Sequence, residues 1–202
     1  MTVSSSDGST SVPNPVSRRR RRLGLGLLAA AGVIASLMSE PGLSGVLGAG
    51  LAVIMLAIAV IDGRRFIIPN QLTAAGFALG LVHAAVQQPE AIVPAVTLAI
   101  ARAAVLALSF FLLCYLYKAV RGREGLGLGD VKLAGVAGAW LDWLMIPIAI
   151  ELAACAALLV YVLRYIVFNR SLAATQRVPF GLFLAPAIWL GWIGQTIWPA
   201  LF

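Results

Sequence analysis

Apolar residues in this chain run in long blocks separated by short polar breaks, with no strand-like alternation. The blocks cover approximately 23–38, 43–61, 72–86, 92–117, 143–167 and 179–201, with a shorter one at 131–141. In hydrocarbon every backbone N–H and C=O must find its partner within a helix or a closed barrel. Unbroken apolar runs without period-two patterning predict helices. The expected fold is therefore all-α, a polytopic transmembrane helix bundle of six to seven spans, one of them short. A spanning helix needs about 20 residues. At about 1.5 Å per residue, 131–141 covers only about half of the hydrocarbon core, so it is expected to be tilted, short or half-buried, with water able to approach its start.

Composition supports this reading. Of 202 residues, 61% are hydrophobic and 11% charged, with a mean hydropathy of +0.95, whereas a soluble domain carries about 25% charged residues. Six or seven spans leave no room for a separate soluble domain. Residues 1–17 are rich in Ser, Thr, Pro, Gly and Asn and read as a disordered tail. Arg18–Arg22 follow, giving a cytoplasmic region 1–22 with a basic cluster and a transmembrane domain 23–202. A basic stretch before a short apolar run also describes a signal peptide. No convincing small-x-small cleavage site follows and five or six more spans come later, so a retained first helix is expected.

The net charge of +7 does not point to nucleic acid, because the basic residues sit at the ends of apolar blocks and not on one folded face. With alternating spans, Arg18–Arg22, Arg64, Arg65, Lys118, Arg121, Arg123, Lys132, Arg164, Arg170 and Arg177 share one side, and Glu40, Glu90 and Asp142 the other. The positive-inside rule makes the first side the cytoplasm. Arg102 alone disagrees. An embedded stretch starting near Leu98 would let it snorkel to the outer interface. The C-terminus lies outside if 131–141 crosses fully. Cys114 and Cys155 lie in apolar stretches without CxxC pairing, which argues against a metal site or a disulfide framework.

Among the four Asp and four Glu, Asp7, Glu40, Glu90, Glu124 and Asp142 read as solvated tail, turn or loop residues. Glu151 lies within an apolar block and is expected to make a helix–helix polar contact, with Arg102 as its partner at similar depth. Asp62 and Asp130 differ. Asp62 closes the run Leu51–Ile61 and precedes Gly63-Arg64-Arg65 and Ile68-Pro69-Asn70; Asp130 closes Gly125–Gly129 and precedes the short helix expected from Val131. Both fall at the inner boundary. Two close aspartates share a proton and titrate as a unit. One can then activate water while the other polarises a carbonyl, with no cofactor or metal. Gly127 and Gly129 are expected to let backbone approach a substrate strand closely and to take conformations closed to other residues. The one histidine, His83, lies near the outer end of the third block, which excludes a Ser–His or HExxH arrangement at this boundary.

At these residues the chain resembles the prepilin peptidases, GxGD-type membrane aspartyl proteases of the type IV leader peptidase family. The resemblance rests on Gly127-Leu128-Gly129-Asp130-Val131-Lys132-Leu133 with Gly138-Ala139-Trp140-Leu141, on Asp62 six residues before Ile68-Pro69-Asn70, and on Val178-Pro179-Phe180-Gly181. It covers about residue 43 to the end. It implies that Asp62 and Asp130 are the catalytic pair, and that Gly127, Gly129, Lys132, Pro69, Asn70, Pro179, Phe180 and Gly181 support the site or bind substrate. Lys132 is expected chiefly to anchor its helix. The implied substrate is a prepilin with a short basic leader ending in Gly before a hydrophobic helix, cut at the cytoplasmic face of the bacterial inner membrane. The N-terminal region with paired CxxC motifs found in large members is absent from this sequence. N-methylation is therefore not carried over, and the likeness is to the compact form seen with Flp-type, tight-adherence pili. Asp142 replaces a usual glycine and Leu182 a frequent proline, both read as variation within the family.

Two other readings use the same residues. A transporter subunit would employ Asp62 and Asp130 as an ion site, but would favour mid-membrane acids and an internal repeat. An assembly subunit would use the aspartates as helix caps. That suits Asp130 but leaves Asp62 at a helix C-terminal end, where the dipole disfavours an anion.

Overall fold

The computed structural model describes residues 15–122, 127–168 and 179–197. They form seven helices: α1 (Pro15–Ser39), α2 (Leu43–Arg65), α3 (Asn70–Gln87), α4 (Ile92–Arg121), α5 (Leu128–Trp140), α6 (Met145–Phe168) and α7 (Gly181–Ile197). The expected all-α bundle is what the chain adopts. Each apolar block forms one helix, because backbone groups at this hydropathy have few partners other than their own turn. α2, α4 and α6 contain stretches long and apolar enough to cross a membrane, and shorter apolar helices cover Leu23–Ser39 and Gly181–Ile197. These are the features of a multi-pass membrane protein.

α1 begins at Pro15, so Arg18–Arg22 lie within its first turns. The expected tail therefore gives way to helix earlier than composition suggested. Its residues 1–14, together with Arg123, Glu124, Gly125, Arg170, Arg177 and Val178, lie outside the described residues.

α2, α3, α5 and α7 make up the centre, with α1 against α2, α4 against α5 and α3, and α6 against α7. The core runs through Leu51, Met55 and Ile58 of α2, Leu133 and Val136 of α5, and Leu184 and Ile188 of α7. α5 is the short element, 13 residues long. Its rise is about 20 Å, some two thirds of a hydrocarbon core of about 30 Å. The C-terminal end of α2 and the N-terminal ends of α3, α5 and α7 meet at one end of the bundle through Ile68, Asn70, Lys132 and Leu182.

Candidate active site

Asp62 lies in the last turn of α2, which closes at Phe66 in the left-handed region with its N–H donating to Asp62 O (2.9 Å). The chain then reverses through Ile68 and Pro69 into α3. Asp62 is buried, and its Oδ2 accepts the backbone N–H of Leu182 at 2.9 Å. That amide belongs to the first turn of α7, where N–H groups have no intrahelical acceptor and the helix dipole favours an anion. The expected conflict between Asp62 and its own helix terminus is thus offset by the opposite terminus of α7.

Asp130 is not ahead of its helix, as the sequence suggested, but inside its first turn. α5 starts at Leu128 with Gly127 as N-cap, and the buried Asp130 carboxylate turns back to accept the Gly127 N–H at 3.2 Å. This is half of a capping box, made from the third helical position and not from the N-cap position that the sequence suggested. Asp62 and Asp130 stand 68 positions apart in sequence, yet both lie at the end of the bundle where Ile68 packs against the first turns of α5 and α7. Among the described residues neither forms an ion pair.

Gly181 lets Asp62 sit close against the start of α7. A Cβ there would lie 2.9 Å from Asp62 Oδ2 and 2.7 Å from Ile68 Cδ1. Ile68 also limits Gly129, where a Cβ would lie 3.0 Å from the isoleucine Cβ. The Ile68 side chain therefore wedges between the first turns of α5 and α7 and sets their spacing. Gly127 behaves differently from the expectation: its φ of −82° suits any residue, and a Cβ would meet Asp130 at an ordinary 3.6 Å. Its contribution here is its N–H.

Lys132 is exposed and donates from Nζ to Asn70 Oδ1 at 2.7 Å, tying α5 to the start of α3. Pro69 is the N-cap of α3. Pro179 and Phe180 lead into α7, and their carbonyls accept N–H groups of its first turn. Ile68 and Leu182 carry the geometry, although sequence reasoning does not single them out as site residues. Ile68 is visible within Ile68-Pro69-Asn70. Leu182 acts through its backbone, which side-chain identity does not signal.

His83 lies well away from this end, buried and stacked on Trp140 (centroids 4.8 Å apart), with Trp192 Nε1 donating to its Nε2 at 3.2 Å. Among the described residues no His, Cys, Asp and Glu cluster could hold a metal ion, and both cysteines are free. The Glu151–Arg102 contact does not form. Glu151 projects outward from α6, while Arg102 reaches to Asp142 and Gly138. Adjacent apolar positions all face lipid or core on helices of this hydropathy, so helix rotation could not be read from the run.

Residues 49–163 match the type IV leader peptidase family. Over 140 residues the chain is 35% identical to the prepilin leader peptidase/N-methyltransferase of Pseudomonas putida, covering 67% of this chain and 45% of that protein. The protein of the same description from Dickeya chrysanthemi is 32% identical over 158 residues, 76% of this chain and 52% of its own length. A shorter alignment of 85 residues reaches 39% identity with the Pseudomonas aeruginosa protein, covering 41% of this chain and 28% of that one. The chain thus spans about half the length, or less, of these curated relatives. No solved structure matches it. The matched segment runs from α2 through most of α6 and contains both Asp62 and Asp130, and by that match this chain belongs to the type IV leader peptidase family.

Proposed function

We propose that this protein is an aspartic endopeptidase that removes the short basic leader from type IV prepilins, of the Flp or tight-adherence kind, at the cytoplasmic face of the inner membrane. The observation that carries this reading is the presence of two buried carboxylates at the same end of the bundle, neither of them in an ion pair among the described residues. Two carboxyl groups in one site hold a single proton between them over part of the pH range. The ionised member takes a proton from water, and the resulting oxygen attacks the scissile carbonyl carbon. The protonated member hydrogen-bonds the carbonyl oxygen as it gains charge, and a proton passes to the leaving amine as the C–N bond breaks.

The backbone donors suit this chemistry. Leu182 N–H on Asp62 and Gly127 N–H on Asp130 hold each carboxylate in a fixed direction without adding a competing charge. A substrate with an apolar helix behind its leader would lie among these helices in the bilayer and present its inner end here. Basic residues at Arg64, Arg65, Lys118 and Arg121 support a cytoplasmic orientation for this end.

Asp62→Asn and Asp130→Asn, each expressed in membranes with a prepilin, should lower leader cleavage by roughly 10²- to 10⁴-fold with the protein still inserted. Wild-type processing by either variant would overturn the proposal.

A further inference from the structure

α5 stops after 13 residues, and its last carbonyls have side-chain partners. A helix leaves its last carbonyls without intrahelical partners, and inside a membrane no bulk water replaces them. Here Gly138 O accepts Arg102 Nε of α4 at 3.3 Å, and Trp140 O accepts Gln195 Nε2 of α7 at 3.0 Å. Just beyond the helix, the Asp142 N–H donates to Gln195 Oε1 at 3.2 Å, and the Asp142 carboxylate pairs with the Arg102 guanidinium. The cation faces a helix C-terminus, which the dipole favours, and Asp142 neutralises it.

Backbone packing serves the same seat. A Cβ on Gly138 would lie 2.6 Å from Ala103 Cα, so α4 and α5 touch main chain to main chain beside Arg102. Trp140 Nε1 donates to Gly76 O of α3 at 2.8 Å, which binds the same end to a third helix.

Asp142 follows Asp130 by 12 residues, about 18 Å along a helix, so the seat touches neither carboxylate. It acts through helices instead. α5 carries Asp130, and α7 carries the amide that grips Asp62. At the carboxylate end Ile68 holds these two helices apart; at the far end Gln195 joins them. We infer that Arg102, Asp142 and Gln195 form a positioning seat that sets the depth and rotation of α5 against α7, and through them the separation of the two carboxylates. What that separation is used for rests on the proposed peptidase function. A slip of one residue at the seat moves α5 by about 1.5 Å and turns it by about 100°. A misplacement of that size is expected to cost roughly 10²-fold in rate.

The test uses full-length protein in nanodiscs, with Cys114 and Cys155 replaced by alanine and spin labels at the exposed positions Arg65→Cys and Leu128→Cys. Gln195→Leu keeps the side-chain bulk and removes both hydrogen bonds. The variant should show a broadened or shifted label-to-label distance, with kcat on a prepilin down roughly tenfold or more and KM within about twofold. An unchanged distance distribution with unchanged kcat would overturn the seat, whatever happens to the melting temperature. If Gln195→Leu fails to insert, Asp142→Asn takes its place: a shifted distance with lowered kcat supports the seat, and no change in either overturns it. Absence of leader cleavage by the wild-type protein would count against the peptidase reading, and the distance measurement would still decide the seat.

Discussion

The two ends of α5 treat charge in opposite ways. At the far end Arg102 and Asp142 form a compensated pair, with Gly138, Trp140 and Gln195 completing the hydrogen bonds. At the near end Asp130 and Asp62 are two acids, both buried, with backbone N–H donors and no ion pair among the described residues. Charge inside a membrane protein is costly unless paired. A compensated pair is accounted for once it closes a helix end. Two acids at one end, with no such pair among the described residues, call for another reason, and the proposed proton transfer supplies one. Intramembrane charge alone does not mark a catalytic site; on the proposed function, two acids at one helix junction with no ion pair among the described residues are the better sign.

The far end breaks most strongly at Arg102. Arg102→Met leaves half-exposed Asp142 without its cation and Gly138 O without a partner, and should destabilise the fold by about 2 kcal/mol, read as a lower midpoint in thermal unfolding in detergent. An unchanged midpoint would mean that water already satisfies this end. At the near end the contrast sharpens between two glycines. Gly181→Ala drives a methyl into Asp62 and Ile68 and should cut leader cleavage roughly 10- to 100-fold. Gly127→Ala meets only ordinary contact, keeps its N–H on Asp130 and should stay within about twofold of wild type. Equal damage from both would place the glycine requirement in the substrate path and not in the packing of Asp62. The smallest effect is expected at Lys132→Met. It removes an exposed hydrogen bond to Asn70 and should cost about 1 kcal/mol or less in unfolding experiments, with only a modest change in cleavage.

Much of this is legible in the chain. Apolar runs locate all seven helices, because block length and polar breaks are enough when each block must satisfy its own backbone. The shortness of α5 and the placement of Asp62 and Asp130 at one end follow from counting residues and alternating spans. Side-chain direction does not. Glu151 and Arg102 are expected from the sequence to be partners, yet Glu151 is exposed and Arg102 buried, on helices whose apolar runs do not show their rotation. Asp142 reads as a solvated turn residue because nothing local shows that α5 stops where Arg102 waits. The hold on Asp62 comes from the Leu182 backbone, 120 positions away, and a main-chain donor leaves no trace in residue identity.

The central claim is that Asp62 and Asp130 act as one unit. It is tested most directly by measuring kcat for prepilin cleavage in nanodiscs for the wild type, Asp62→Asn, Asp130→Asn and the double variant. Groups that act together are strongly non-additive, so the double variant should be no slower than the slower single one. Losses that multiply in the double variant, or a single variant that cleaves at the wild-type rate, would contradict a two-aspartate site.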